Sequence, residues 1–246
     1  MIVASMKLKE MHDELEKDVQ KLQIWINKTK PKAVKFFEKQ NSFPTWYVEK
    51  YQNQDSHNQY VIFFYAGTRH EIKSPRYTSY CIVFFENQRY VVRGFRAPQY
   101  TTDGEIVIVP QIHAYTSHFF ERYNERLLHL DKISSNEIAG LFFVRNPRAL
   151  PTMLNEEINR NYKEHGDYNK QGMDVNDGFC YTQTGYEEIE SEDGIPEHNI
   201  VDASLVLYTT FMNELGMSDT QRAAIKKEHV ETWKRCMEEL KDIITG

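Results

Sequence analysis

Residues Ile106–Asn146 read IVIVPQIHAYTSHFFERYNERLLHLDKISSNEIAGLFFVRN, and they predict one strand followed by two helices. The first residues form a short apolar run typical of a strand, and Pro110 predicts a turn where that run ends. Ser117 is suited to the N-cap of a helix, since its hydroxyl can accept a hydrogen bond from the first turn, and Ser134 or Ser135 is suited to the N-cap of the next helix. The stretch therefore predicts helices that pack beside a sheet.

The first of these helices has an apolar side and a cationic side. With about 100° of rotation per residue, five apolar side chains fall on one face: Phe119, Phe120, Tyr123, Leu127 and Leu130. His118, Arg122 and Arg126 follow at i, i+4 and i+8, so their side chains lie above one another and can converge on one anion. Glu121 and Glu125 lie about a turn away, where they can instead neutralise the arginines on a solvated surface. Both interpretations of the cationic row stay open.

The run Thr116–Arg126, TSHFFERYNER, and the capped helix start Ile133–Ile138, ISSNEI, together resemble the site-bearing part of small endoribonucleases of the barnase/EndoU/RelE-like kind. The resemblance lies in residue types and their order. It implies a compact α+β domain, with helices packed on a curved antiparallel sheet, that cuts RNA without a metal. A late strand, Ile200–Phe211, carries a pair of threonines and resembles the hydroxyl-bearing strand of such sites. The likeness covers roughly residues 105–215.

Cleavage of RNA without a metal requires a base, an acid and cations that stabilise the charge on phosphorus. A histidine can act as acid or base at neutral pH, whereas an arginine is always charged and suits the phosphate. The catalytic residues expected on this basis are His118, Arg122, Arg126, Thr209 and Thr210. The expected substrate-binding residues are three tyrosines, Tyr115, Tyr123 and Tyr208. The second acid or base is not identified by spacing, and His113, Glu121 and Tyr115 are all candidates.

The composition is that of a folded protein with an acidic balance. Of 246 residues, 40% are hydrophobic and 13% aromatic, which is enough for a packed core. The net charge is −6, which argues against a general nucleic-acid binder, because such proteins gain affinity by neutralising phosphates. A small pocket needs only local positive charge, so any RNA affinity is expected to be weak and sensitive to salt.

Tyrosines and arginines alternate within the strand-rich region Phe43–Gln99. Aromatic rings mixed with guanidinium groups can stack on bases and hold phosphates, as on sheets that bind single strands. Tyrosines with solvated hydroxyls are equally ordinary on half-buried strands. The pattern does not decide between these interpretations.

Cys81, Cys180 and Cys236 are odd in number and lack CxxC spacing, which favours buried thiols in a reducing compartment. Because no apolar run reaches the roughly 18 residues of a membrane helix, we expect no membrane association and a cytoplasmic location. His113 and His118 could share a metal with Glu121, but the spacing is not that of an H-E-x-x-H site. With no glycine-rich phosphate loop either, the sequence predicts neither a metal nor a cofactor.

The whole chain predicts an α+β fold, an antiparallel sheet with helices packed on it and flanking helices at both ends. The expected N-terminal part, residues 1–104, holds a helix from Lys7 to Gln40, which Pro31 splits or kinks, and a β-meander. The expected second part, residues 105–246, holds the helix pair, a β-hairpin and a C-terminal helix. Its other predicted segments are a loop marked by Pro147 and Pro151, a helix Met153–His165, a loop Tyr168–Asp177 and a final helix Ser218–Ile244. The two parts can belong to one domain.

Two functional hypotheses follow from these patterns. The first is a metal-independent endoribonuclease, toxin-like or associated with a mobile element, with RNA as substrate and an inhibitor protein as a further partner. The second is a non-catalytic α+β interaction or binding protein in which the His/Arg row only ties a helix to the sheet. The enzyme requires His118 and both arginines to open into one concave pocket, whereas the binding protein pairs or buries them elsewhere. The sequence leaves the oligomeric state undetermined.

Overall fold

A computed structural model describes residues 1–100, 106–153, 171–190 and 196–228, together with residues 230, 231 and 234. In these residues one nine-stranded sheet carries helices on both faces, with a helix near each end of the chain. The predicted α+β class is therefore confirmed. Among the described helices, none has the length and apolar character that crossing a bilayer requires.

The helices are α1 (Leu8–Phe37), α2 (Ser117–Tyr123), α3 (Ser135–Arg145) and α4 (residues 219–228). Helix α2 continues into a π-helical turn, Asn124–Leu128. The strands are β1 (Thr45–Gln52), β2 (Gln59–Ala66), β3 (Arg76–Phe85), β4 (Gln88–Tyr100), β5 (Ile106–Thr116), β6 (Ala149–Met153), β7 (Gln171–Val175), β8 (Gly178–Glu190) and β9 (Pro196–Asn213).

The strand order is β1-β2-β3-β4-β5-β9-β8-β7-β6. Every neighbouring pair is antiparallel except β5 and β9, which pair in parallel from Gln111–Ser204 to Tyr115–Tyr208. This parallel junction joins the meander β1–β5 to the antiparallel strands β9–β6. The predicted division at residue 104 falls between β4 and β5, which pair along their whole length.

Alternation along the strands sends side chains to two separate cores. One face packs against α1 through residues such as Ile62, Val92 and Ile112. The opposite face packs against α2 and α3 and contains nine buried aromatic residues: Tyr80, Tyr115, Phe119, Phe120, Tyr123, Phe142, Phe143, Tyr208 and Phe211. Because consecutive strand residues point to opposite faces, neighbours such as Arg93 and Gly94 face different helices.

The sheet forks beside β4. Pairing between β3 and β4 stops at Cys81–Val92, whereas β4 stays paired with β5 as far as Tyr100. Gly94 lies just past the fork, and a Cβ there would stand 3.4 Å from the ring of His12 on α1. The fork thus leaves a cavity of about 360 Å³ between α1, β3 and β4. We call it the fork cavity; His12, Glu16, Gly94 and Arg96 are among the residues that line it.

Two predictions around prolines were wrong, and a third was wrong in part. Helix α1 is continuous through Pro31, so this proline does not split it. Pro110 lies within β5 and makes no turn; pairing with β9 begins only at Gln111, so the missing N–H lies where that side of β5 is not yet paired. The predicted loop around Pro147 and Pro151 contains β6, which tolerates a proline because it is an edge strand that pairs only with β7.

The other predicted segments of residues 105–246 agree with the structure in part. Residues Gln171–Val175 of the predicted loop Tyr168–Asp177 form β7. Met153, the expected start of a helix, is the last residue of β6, and the rest of that predicted helix lies outside the described residues. The final helix is present from residue 219, and its predicted end also lies outside them. Cys81 and Cys180 are buried free thiols, as expected.

Candidate functional site

The predicted cationic row begins on the exposed side of α2. Arg122 Nε donates to His118 Nε2 at 3.4 Å, so these two side chains do lie above one another. Each also contacts a carboxylate: His118 Nδ1 lies 3.7 Å from Glu121 Oε2, and Arg122 Nη1 donates to Glu125 Oε2 at 2.7 Å. More than half of the His118 side chain is exposed, at 55%. The row therefore resembles the neutralised surface that was left open as an alternative.

Arg126 leaves the row and ties the π-helical turn to β9. Its guanidinium donates to the carbonyl of Phe211, and its own carbonyl accepts from Asn213 Nδ2 at 2.5 Å. Thr209 is the extra residue of a β-bulge in β9, and its hydroxyl donates to the carbonyl of Tyr181 at 3.2 Å. Thr210 lies next to Phe211 and pairs with Tyr181. Arg126 therefore contacts the strand that carries the threonines. The side chains of Arg126 and Thr209, however, donate to backbone carbonyls.

The three predicted tyrosines lie in the aromatic core between the sheet, α2 and α3. Tyr123 is fully buried, and its hydroxyl donates to Asp177 Oδ2 at 2.5 Å. Tyr115 and Tyr208 stack with their ring centroids 4.0 Å apart. These two rings also line a cavity that neither His118, Arg122 nor Arg126 reaches. The site built around that cavity differs from the predicted one.

This cavity, about 400 Å³, lies between the α2/α3 face of the sheet and the segment that leads from α3 into β6. We call it the polar cleft. Its polar lining residues are Arg93, Arg96, Gln111, His113, Tyr115, Asn146, Arg148 and Tyr208. Its ring-bearing lining residues include Phe95, Phe142 and Phe143. No aspartate or glutamate is among the described residues that line it, although the chain as a whole carries a net charge of −6.

Strand register brings these residues together from distant parts of the chain. Arg93 on β4 pairs with His113 on β5, and two residues further along Phe95 pairs with Gln111. Across the parallel junction, Gln111 and His113 pair with Ser204 and Val206 of β9. Residues two apart on one strand share a face. Arg93 and Phe95 therefore point to the same side as Gln111 and His113.

Arg93 is a half-buried charge in the cleft wall, which Arg96 and Arg148 also line. Its guanidinium carbon lies 4.8 Å from the ring centroid of Phe143 and 5.1 Å from that of Phe95. Among the described residues it donates no hydrogen bond and has no carboxylate within ion-pair distance, whereas Arg96 is paired with Glu16. Burial lowers the pKa of Arg93 below its ordinary value, but an arginine still stays protonated at neutral pH.

A chain of hydrogen bonds fixes the floor of the cleft. Gln111 Nε2 donates to Ser204 Oγ at 3.0 Å, and Gln111 Oε1 lies 2.7 Å from His113 Nε2. On the other side of the imidazole, Tyr208 OH lies 3.0 Å from His113 Nδ1. Since the amide oxygen only accepts, His113 carries its proton on Nε2 and accepts at Nδ1 from Tyr208.

Burial, together with the charge of Arg93, lowers the pKa of His113 to about 3. The imidazole is therefore neutral at physiological pH, with both of its nitrogens engaged. Burial also raises the pKa of the Tyr208 hydroxyl, with Tyr115 adding to the effect, so this hydroxyl is protonated as well. The floor of the cleft is thus an uncharged hydrogen-bonding surface. The positive charge of the cleft comes from the arginines that line it.

Asp177, at the tip of the β7–β8 turn, holds the α3 end of the cleft in place. It accepts a bidentate ion pair from Arg145 at 2.7 and 2.8 Å, and bonds from Tyr123 and Asn146. Burial raises the pKa of Asp177, but the hydrogen bonds from Arg145 and Tyr123 outweigh burial and leave the pKa lowered. This ionised carboxylate orients Asn146, a lining residue of the cleft.

Comparison of the chain with known proteins bears on neither site. No family model, curated protein or solved structure matches it. The assignment of the polar cleft therefore rests on its geometry and charge.

Sequence reasoning named Tyr115 and Tyr208 of this cleft, and considered His113 only as an acid, a base or a metal ligand. It missed Arg93 as a site residue. The available signal was the alternation along β4, where Val91, Arg93 and Phe95 share one face. An arginine between two apolar residues on the core side of a strand is unusual, because buried charges are normally paired.

Proposed function

We propose that this protein binds a small anionic molecule in the polar cleft and holds it without chemical conversion. This corresponds to the second of the two hypotheses from the sequence, made specific by a cavity and a ligand class. A volume of about 400 Å³ lies within the range of about 300–1,000 Å³ typical of small-molecule sites. It suits a compact ligand better than a nucleic-acid strand.

The observation that carries the proposal is the unpaired guanidinium of Arg93. Arg93 is half-buried, and a charge that is partly removed from water without a partner costs stability, so such groups are normally paired or bind a ligand. In the described residues, the contacts of Arg93 are the rings of Phe95 and Phe143 and the cleft itself. A carboxylate or phosphate that enters the cleft supplies the missing partner, through a charge-assisted and bidentate contact.

The rest of the lining supports an anion that carries a planar apolar group. Rings of Phe95, Phe142 and Phe143 line the cleft beside Arg93, and aromatic walls favour flat ligands. Arg148, exposed at the mouth, adds a second cation that attracts anions toward the opening. Aryl carboxylates and aryl or nucleoside phosphates share the required chemistry.

Binding without catalysis is favoured by the state of His113. A general acid or base works best when its pKa lies near the working pH. The pKa of His113, lowered to about 3, leaves it unable to donate a proton from an imidazolium at neutral pH, and Tyr208 already occupies its basic nitrogen. The residue positions Tyr208 and Gln111 and takes no part in proton transfer.

The test is calorimetric titration with benzoate, phenyl phosphate and inorganic phosphate, with benzamide as a neutral analogue of benzoate. We expect at least one aryl anion to bind and benzamide not to bind. Arg93→Met removes the charge and should weaken binding about 10- to 100-fold, the usual effect of losing a charged hydrogen bond.

The matched control is Arg76→Met. Arg76 also lies on a strand and stacks on a ring, 4.7 Å from the centroid of Tyr65, but it has a carboxylate partner in Glu71. Its replacement should leave anion binding unchanged. The proposal fails if none of the aryl anions binds wild-type protein, or if Arg93→Met binds them as wild type does.

The metal-independent endoribonuclease remains a second candidate. It is favoured by one contact, since Arg126, which follows His118 and Arg122 in the sequence, donates to the carbonyl of Phe211 on the β9 strand that carries Thr209 and Thr210. The test is incubation with mixed RNA in EDTA, followed by detection of products that end in a cyclic phosphate. Cleavage that is lost in His118→Ala, at unchanged melting temperature, supports the enzyme; intact RNA with wild-type protein contradicts it.

A further inference from the structure

We propose that His12, Asp13 and Glu16, in the first turns of α1 beside the fork cavity, bind one divalent transition-metal ion. The proposal does not rest on anion binding in the polar cleft, although Arg93, Phe95 and Arg96 line both cavities. Each of the three residues offers one ligand atom, and these atoms lie within 4.8 Å of one another.

The decisive atom is Nδ1 of His12. The His12 side chain is only 5% exposed, and its Nδ1 is fully buried without a hydrogen-bond partner. Two carboxylate oxygens lie near it, Asp13 Oδ1 at 3.9 Å and Glu16 Oε2 at 4.0 Å, and both are too distant to accept a hydrogen bond. A buried polar atom with no partner is rare in native proteins, and a bound ion is one of the standard reasons for it.

The distances fit a site that contracts around an ion. Ligands bound tetrahedrally at 2.0–2.1 Å from zinc lie about 3.3 Å apart. The nitrogen–oxygen distances of 3.9 and 4.0 Å therefore need to shorten by about 0.6–0.7 Å. The distances among the three ligand atoms, all within 4.8 Å, need to shorten by about 1.5 Å at most. The Asp13 and Glu16 side chains are 50% and 53% exposed and can make this movement, whereas His12 is held by its burial.

The donor set selects the kind of metal. One imidazole nitrogen with two carboxylate oxygens suits Zn²⁺ and its first-row neighbours, while Mg²⁺ and Ca²⁺ prefer oxygen ligands alone. Three protein ligands leave a coordination position for water or a ligand on the side of the fork cavity, which His12 and Glu16 both line.

Arg96 competes with the metal. Its Nη2 donates to Glu16 Oε2 at 2.8 Å, on the same oxygen that faces His12. Binding of the ion therefore displaces Arg96 from that oxygen. Removal of the guanidinium should make Glu16 more available and tighten metal binding.

The experiment uses full-length protein stripped with a chelator and titrated with Zn²⁺, and with Co²⁺ for its visible spectrum. We expect one ion per chain with a Kd of about 1 µM or below, and no comparable binding of Mg²⁺. Asp13→Asn combined with Glu16→Gln should abolish it, as should His12→Gln. Each loss should exceed the about 10- to 100-fold typical of an outer-shell partner.

The controls separate a built site from casual binding. His118→Gln with Glu121→Gln removes an exposed pair of the same residue types, 3.7 Å apart on α2, and should change nothing. Arg96→Gln should lower the Kd. Because the acidic double variant alters only exposed side chains, it decides the outcome even if His12→Gln fails to fold. Wild-type binding weaker than about 100 µM, or unchanged binding in the acidic double variant, overturns the proposal.

Discussion

At the scale of single residues, Arg93 illustrates how a binding group can cost stability. Its guanidinium is held against Phe95 and Phe143 by the strand on one side and α3 on the other, with no anion among the described residues to offset its desolvation. Natural proteins keep such groups where function requires them.

We expect Arg93→Met to be more stable than wild-type protein in the absence of ligand. A methionine fills the space beside the two rings and removes the unpaired charge. Replacement of buried charges by apolar groups is often stabilising, and because Arg93 is only half-buried we expect a gain of about 0.5 kcal/mol. Urea denaturation measures the change, with Arg76→Met as the control that loses a paired charge instead. A large loss of stability in Arg93→Met would show that the charge has a partner.

Protonation of His113 should make the free energy of unfolding decrease as the pH falls below about 6.5. Its pKa is about 3 when folded, but near 6.5 in the unfolded chain, so below about pH 6.5 the unfolded state binds a proton that the folded state does not. The contribution of His113 to the free energy of unfolding is therefore fully present above pH 6.5. It should decrease by about 1.4 kcal/mol per pH unit as the pH falls toward 3.

His113→Gln cannot bind that proton and should flatten this part of the curve. Urea denaturation at pH 7, 6, 5 and 4 gives the slope for each protein. The exposed His118→Gln is the control, and it should keep the wild-type slope. Equal slopes in wild type and His113→Gln would contradict the assignment.

At the scale of secondary-structure elements, α3 depends on a glycine for its distance from the sheet. A Cβ on Gly140 would stand 2.1 Å from the ring of Phe63 on β2, so the helix backbone packs directly on this ring. Alanine favours a helix by about 1 kcal/mol relative to glycine. Here the clash should outweigh that preference.

We expect Gly140→Ala to destabilise the protein by about 2 kcal/mol, the usual cost of overpacking a core. Thermal denaturation is a sufficient measurement. Gly185→Ala is the control, since a Cβ there meets nothing closer than 3.9 Å. Adding Phe63→Leu to Gly140→Ala should recover part of the loss; if it does not, the clash is not the cause.

The elements also show what the sequence could and could not predict. Helix α3 begins where predicted because Ser134 and Glu137 form a complete capping box, a purely local signal. Strands β2–β4 are likewise marked by runs of β-branched and aromatic residues. Strand β6 was missed because its proline reads as a loop signal, and only its edge position, a property of the assembled sheet, makes that proline acceptable.

The candidate site was less predictable than the elements for the same reason. A sequence shows which residues share one helix, and the His/Arg row of α2 was found in that way. The polar cleft combines β4, β5 and β9, and no local pattern encodes that β5 pairs with β9 from Gln111 to Tyr115. The alternation along β4 marks Arg93 locally, but only the strand register shows that it lies beside His113.

At the scale of the whole molecule, the parallel junction makes the two halves of the sheet dependent on each other. The segments that it joins, Gln111–Tyr115 and Ser204–Tyr208, are far apart in the sequence, and their side chains belong to both cores. The predicted division into residues 1–104 and 105–246 would leave β4 and β5, which pair along their length, in separate fragments.

We therefore expect a single cooperative unfolding transition for the full chain and no stable fold for residues 1–104 alone. Fragment 1–104 leaves the backbone N–H and C=O groups along the edge of β4 without their partners on β5, and it should show little tertiary structure by near-ultraviolet circular dichroism. The same transition should be seen by tryptophan fluorescence and by far-ultraviolet dichroism. Two separate transitions, or a folded fragment, would instead confirm the predicted division.

The fork in the sheet has one more consequence. Arg93, Phe95 and Arg96 line both cavities, and Arg96 forms an ion pair with Glu16. If Glu16 binds a metal ion instead, the Arg96 guanidinium is free to turn toward the polar cleft and add positive charge there. In that case Zn²⁺ increases the affinity for an aryl anion, and the anion must increase the affinity for Zn²⁺ by the same factor.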